Sequence, residues 1–600
     1  MALPGYAMRQ MKLSEADRKN QVAGWAFDTR PVLLRFHLWL EDVEVERSQD
    51  EPVSAVSFTP RGIARCLAMT SAATALGTRL FGGYGEGKGK DKQAYNQVKK
   101  SADAISAYVM SEGLWHLTRT LPENHAIMVC LGEGLMPKAG ETPEMGANPL
   151  LGFGRVYARP EVARFVDAAV ARLLNDKGFG WQQFYDHLCQ KGITLWGAAI
   201  DTLENTSRFA EGQTTGPMSI LHLFDSPLTV SKPYESYMGA LTLPRKVAAT
   251  AEEQSVLLDY RTPRAKVVEA IERAYPGIHR EHIHVWTLGG KSRVKRLSRL
   301  WEEWTSLGAH VVEPGWKGPT GIEVFTDSGT YAPAFMVRDW KDDKGNTHVF
   351  LCDGYAATAE AMQAASLSEV LDLDCTMAPF TPTFDHPHDK EYALMRLSPS
   401  DPAFGKKAQD ICGEALSKEQ VAGYADAIRD AESSNIPLHK RVLRADDFLP
   451  EKQWKALACI GYMCDDPYTG TGGVEQLGPD RFRVTTRLAT RNASSLIRFT
   501  FRLMEGFEQS RLVFSPLLTR FLSGYDYTQR AVKVSDSGRI RNELQTVLTQ
   551  ALEYDGDIIR VHFDRVDPKV MPVENQKVIR KALEWYKAHH PMWFNWLEIV

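Results

Sequence analysis

Between residues 125 and 369 the sequence switches repeatedly between two periodicities, and this restricts the fold more than any other feature. Compact apolar runs halted by glycine or aspartate occur at 125–134, 193–201, 218–225 and 282–290, and again at 309–315, 321–329, 332–340 and 348–355. Helical spacing of apolar residues falls between several of them, at 161–175, 264–274, 293–307 and 355–369. Short apolar runs bounded by turn residues suit buried strands, and strands alternating with helices are the pattern of a sheet covered on both faces. The expected class is therefore α/β, with a mostly parallel mixed sheet flanked by helices. Ala, Leu and Met at helical spacing over 62–80 and 94–119 predict a mainly helical N-terminal region. Near the other end "RFRVTTRLAT" and "SLIRFTFRLME" flank "RNAS", an antiparallel hairpin pattern that predicts a C-terminal α+β portion.

A chain of 600 residues exceeds what one hydrophobic core serves. The expected regions are a helical 1–120, an α/β core at 121–384, an insertion or linker at 385–450 and an α+β region at 451–600. Lys plus Arg number 71 against 75 for Asp plus Glu, so no global charge draws the chain to nucleic acid or to an anionic membrane. No apolar segment approaches the roughly 18 residues of a membrane helix. The N-terminus lacks the apolar stretch of a secretory signal. The eight cysteines show no CxxC pair, which removes the usual zinc-ribbon, iron–sulfur and thioredoxin-like patterns. Reduced cysteines in a cytoplasmic protein are the expectation. The C-terminal "WYKAHHPMWFNWLEIV" is aromatic enough to dock on the body or on another subunit, so a homo-oligomer is expected.

The candidate anion site is Gly289, Gly290, Lys291 and Ser292. With a strand before it and a helix at 293–307 after it, the glycines admit close backbone approach, while Lys291 and Ser292 stand where helix amides and dipole favour negative charge. Glu313 follows roughly where a dinucleotide fold places its ribose acid, but the third glycine of that fingerprint is missing. The loop "FGGYGEGKGKDKQ" at 81–93 contains a G-x-x-x-x-G-K match from Gly82 to Lys88, yet Gly89 replaces the metal-binding hydroxyl and a helix precedes it. It reads as a mobile loop rather than a nucleotide cradle. Arg487 and Arg491, with Arg483 spaced four residues apart on one strand face, and Arg539 at a turn before a helix, are further anion candidates.

Acidic residues closing apolar runs, Asp225, Asp327 and Asp353, are candidate catalytic groups, because open α/β sheets bind ligands at the carboxyl ends of strands. For Asp353 alone, capping a following helix is the competing role. His282 and His284 share a strand face with His279 nearby, and His386 and His388 lie in "FDHPHDKEY". Both sets are half-sites for a divalent metal or ordinary surface or core histidines.

Asp372, Asp374 and Thr376 are spaced D-x-D-x-T behind a short apolar run, which resembles the first motif of haloacid-dehalogenase-like phosphatases. The resemblance covers these few residues only. It implies Asp372 as nucleophile, Asp374 as general acid/base, and Mg²⁺ between them. No G-x-S-x-G elbow is present.

These observations lead to the expectation of a cytoplasmic metabolic enzyme acting on a small anionic, phosphorylated molecule at strand ends, with Mg²⁺ or another divalent cation bridging phosphate and carboxylates. The rivals are a Mg²⁺-dependent phosphatase built on Asp372 and Asp374, and a non-catalytic homo-oligomeric scaffold.

Overall fold

A computed structural model describes residues 9–10, 13–47, 63–118, 121–132, 156–224, 237–288, 297–357, 373–379, 393–433, 443–444, 457–466, 471–489, 494–504, 552–566 and 597–600, less single positions or pairs within these ranges and with a few isolated residues besides. The chain divides into two compact units. Ala2–Pro227 and Lys455–Val600 form one of them, and Leu228–Trp454 the other, so the second is inserted within the first. The division at Trp454 lies close to the expected boundary at 450, and a further one falls between Pro227 and Leu228, inside the expected α/β core. Continuity of periodicity along the chain carries no information about which distant segments fold together.

The flanking unit holds a ten-stranded sheet among its described residues. Its order is β1 (Arg9–Gln10), β2 (Leu38–Arg47), β17 (Ser494–Leu503), β16 (Arg481–Ala489), β14 (Leu457–Tyr462), β6 (Met218–Phe224), β5 (Thr194–Glu204), β3 (His125–Gly132) and β4 (Val156–Ala158), with β15 (Val474–Gln476) on β16. Among its described pairings only β3 with β5 is parallel; the rest are antiparallel. The helix content and mixed sheets agree with the sequence, but the mostly parallel sheet is corrected. The hairpin β16–β17, read from the sequence, pairs in register from Arg481↔Arg502 to Ala489↔Ser494.

Ile63–Phe81 is the central helix of this unit, buried from Ile63 through Thr78 except at Arg65. Its Ala, Ser and Thr residues explain why it can be covered on several sides. A Cβ on Gly461 of β14 would lie 2.3 Å from the Ser71 carbonyl oxygen, so that strand meets the helix backbone directly. Across the neighbouring helix Lys92–Leu117, a Cβ on Gly113 would reach 2.5 Å from Thr70. Close packing of this kind leaves no room for an extra methyl group.

The inserted unit holds seven strands ordered β13 (Leu443–Arg444), β12 (Leu373–Pro379), β7 (Tyr237–Pro244), β11 (Thr347–Ala357), β8 (Ile283–Trp286) and β9 (His310–Val311), with β10 (Arg338–Lys341) on β11. β9, β8 and β11 run parallel, while β7, β10, β12 and β13 are antiparallel to their partners. Leu241, Ile283, Val285, Val349 and Leu351 form one core with Val267, Ile271 and Trp304 from the helices Arg264–Ala274 and Ser298–Ser306. Side chains alternate along a strand, so His284 and Phe350 point to the opposite face. A third sheet, β18 (Leu552–Asp555), β19 (Ile558–Val561) and β20 (Leu597–Ile599), completes the described chain.

Two strand expectations and one helix expectation are corrected here. Residues 321–329 carry no strand beyond an isolated bridge at Glu323, and the run at 332–340 becomes strand only from Arg338. Residues 355–357, expected to open a helix, instead finish β11.

Candidate functional site

Three strands of the inserted unit carry the same dipeptide within their first three residues: His284-Val285 in β8, His310-Val311 in β9 and His348-Val349 in β11. In each the valine enters the helix-covered core, which turns the preceding histidine to the other face. Register then brings the imidazoles together. His284 is the Cα partner of both His310 and Phe350, and His348 lies two residues before Phe350 on the same face. Trp340 of β10 is the partner of His348, and Arg338 the partner of Phe350.

The rings form a chain of hydrogen bonds. His310 Nδ1 is 2.8 Å from His284 Nδ1, and His284 Nε2 is 2.9 Å from His348 Nδ1. His348 Nε2 in turn lies 3.4 Å from Asp342 Oδ2. Planar groups enclose the middle of this chain. Trp340 stacks on His284 and His348 at centroid distances of 5.3 and 5.1 Å, and Trp316 lies 4.9 Å from His284. His282, in the single turn Arg280–His282 that leads into β8, stacks on His348 at 4.0 Å.

Charge fixes the direction of the chain. The Asn346 side chain, its backbone amide and other donors hold the Asp342 carboxyl well below the usual carboxylate range, so it is ionised and only accepts. His348 must therefore donate from Nε2 and accept at Nδ1. That requires His284 to donate from Nε2 and accept at Nδ1, and His310 to donate from Nδ1. Within this chain His310 Nε2 is left with a lone pair, and no hydrogen bond to it is formed among the described residues. These tautomers follow from satisfying every bond with one proton per neutral ring. Burial pushes the His284 imidazole down to about 3, with the neighbouring histidines adding to the effect, so the middle ring stays neutral. Burial also lowers His310, against the opposing pull of Glu313.

Arg338 lies on the same face, its backbone two strand spacings, or about 10 Å, from that of His284. Its Nε is buried without a hydrogen-bond partner, and burial lowers its affinity for the proton it keeps. A desolvated guanidinium of this sort is stabilised by an anion.

The residues expected from the sequence do not converge on this site. Gly289, Gly290, Lys291, Ser292, Asp225, Asp372, Arg491 and Arg539 lie outside the described residues, as do His386 and His388. Asp374 sits second in β12, opposite Leu243 of an antiparallel neighbour. Asp327 is exposed in the loop after Phe325. Arg487 belongs to the other unit, fully buried in β16, with its Nε donating to the Tyr462 hydroxyl at 3.1 Å.

Asp353 is neither a helix cap nor a strand-end acid. It lies inside β11 on the helix-covered face, where it accepts from Arg264 Nε at 2.7 Å and Nη2 at 2.5 Å, and from Trp304 Nε1 at 2.7 Å. Both side chains of the pair are 0% exposed, so this carboxylate is structural. Among the described residues no three His, Cys, Asp or Glu side chains are placed to hold a metal ion. His284 spends both ring nitrogens on its neighbours, which accounts for that within the histidine chain.

No known family model matches the chain, and no curated protein matches it. Among the described residues no helix is long and apolar enough to cross a membrane.

Proposed function

We propose that the protein is an enzyme that performs general acid–base chemistry on a small anionic molecule at the His310–His284–His348–Asp342 relay. The observation that carries this reading is the chain of ring contacts from His310 to the Asp342 carboxylate, which gives the relay one polarity. A proton taken up by His310 Nε2 releases the Nδ1 proton to His284, which passes its own Nε2 proton to His348. The positive charge then rests beside the Asp342 carboxylate instead of in the apolar middle. This is the logic of a base oriented and stabilised by a carboxylate, extended over three rings. Arg338 supports an anionic substrate, and the rings of Trp316 and Trp340 supply flat apolar walls.

The site differs in place from the strand-end site read in the sequence, since His284, His310 and His348 stand at the amino ends of their parallel strands. A phosphorylated substrate, a divalent cation and assembly into a homo-oligomer remain proposals, tied to Lys291, Asp372 and the C-terminal aromatics respectively.

A screen of small carboxylates and phosphates by thermal shift tests the reading, because ligands of the native state alone raise the melting temperature. The expected result is a stabilising anion whose effect disappears in Arg338→Leu. His310→Gln should keep that binding and lose turnover. An anion that stabilises wild type and Arg338→Leu equally, or turnover retained by His310→Gln, overturns the proposal.

A further inference from the structure

The glycine- and lysine-rich stretch at 82–90 reads in the sequence as a mobile loop, and it is instead a built element of the flanking unit. Gly85 N donates to Phe209 O at 3.0 Å and Gly87 N to Ala210 O at 2.8 Å, latching the loop onto the last turn of the helix Thr206–Glu211. The Tyr84 hydroxyl donates to Gln213 O at 2.8 Å. A Cβ on Gly87 would lie 2.9 Å from Ala210 O, and one on Gly212 would lie 2.8 Å from Gly85 Cα. The two backbones meet at distances that only glycine permits.

Between them lies a cleft of about 740 Å³, with Lys88, Lys90, Tyr95, Thr214 and Thr215 in its wall. Its one acidic lining residue, Glu211, is engaged by Gln213 Nε2 at 2.7 Å and lies 3.3 Å from the Tyr95 hydroxyl. Among the described residues no carboxylate pairs with Lys88 or Lys90.

We propose that this cleft binds a small organic phosphate of nucleotide size, with Lys88 and Lys90 on the phosphate oxygens. Two ammonium groups two residues apart, with hydroxyl donors opposite, match a multiply charged anion with three or more oxygens better than a single carboxylate. The volume exceeds that of inorganic phosphate and lies within the roughly 300–1,000 Å³ of small-molecule sites. The site is not a nucleotide P-loop, because the Gly85 and Gly87 amides are already committed to carbonyls. Side-chain charge holds the anion here, so binding is salt-dependent. The cleft belongs to the flanking unit and the histidine relay to the inserted unit.

Isothermal titration of the full chain with pyrophosphate, ATP and adenosine, at low and at high salt, tests the proposal. Pyrophosphate and ATP should bind, more weakly at high salt, and adenosine should not bind. Lys88→Ala/Lys90→Ala should weaken both phosphates at least tenfold with the circular dichroism spectrum unchanged, since both lysines are exposed. His310→Gln should leave the titrations as they are, which separates this cleft from the relay. Absence of binding by either phosphate, binding unaltered in the double variant, or adenosine binding as tightly as ATP would overturn it.

Discussion

Removing the Asp353 carboxylate isolates a structural role from a catalytic one. In the native state that carboxylate takes two charge-assisted bonds from Arg264 and a third from the Trp304 indole, with both ionic side chains 0% exposed. Asp353→Ala removes both carboxylate bonds from the buried Arg264 guanidinium, while the Thr262 carbonyl 2.7 Å from Nη1 stays in place. Stranding one partner of a buried pair costs about 3–5 kcal/mol. The loss belongs to the inserted unit, so hydrogen exchange should show it on the amides of Arg264–Ala274 and Ser298–Ser306 and not on those of Ile63–Phe81. Arg264→Met/Asp353→Leu should recover much of the loss, because apolar replacement of both partners avoids the stranded charge. A protection change under about 1 kcal/mol in Asp353→Ala would refute the reasoning and return Asp353 to the list of candidate catalytic acids.

The pH dependence of stability and the packing of the glycine loop give two more predictions. His284 is held at about 3 in the folded chain against 6.5 unfolded, so the unfolded state gains protons first as the pH falls. Stability should be flat above pH 7 and decline below 6.5, by about 2 kcal/mol at pH 5. Urea midpoints at pH 7.5 and 5.0 measure this, and a decline as steep in His284→Phe would assign it elsewhere. Gly87→Ala forces a methyl group into the Ala210 carbonyl and the Tyr95 ring, for a loss of about 1–3 kcal/mol. An unchanged melting temperature would mean that the loop is as free as its composition suggests.

What the sequence disclosed follows the range of each signal. The helices at 63–81, 92–117 and 264–274 and the β16–β17 hairpin were legible because periodicity and a short turn are local. Strand direction was not, because an apolar run looks alike whether its neighbour runs parallel or antiparallel. Asp353-Gly354 looked like the end of a strand, but Gly354 adopts φ +118 and the strand continues through it to Ala357. The site was half visible. His282 and His284 stood out as a pair, whereas His310 and His348 join them only through register between strands far apart in sequence. The recurring His-Val near the start of three strands was the available signal, and Arg338 and Trp340 had none, since they depend on the β10–β11 pairing.

The relay stands or falls on which nitrogen of His310 carries the proton. Nitrogen-15 NMR of histidine-labelled full-length protein at pH 7.5 distinguishes the two tautomers by the shifts and long-range proton couplings of Nδ1 and Nε2. The hydrogen-bond chain anchored on ionised Asp342 predicts Nδ1–H with a bare Nε2 at His310, and Nε2–H at both His284 and His348. Asp342→Asn should blur that preference, since an amide can donate as well as accept. A protonated Nε2 on His310 in the wild-type chain would contradict the relay and remove the base from the proposed chemistry.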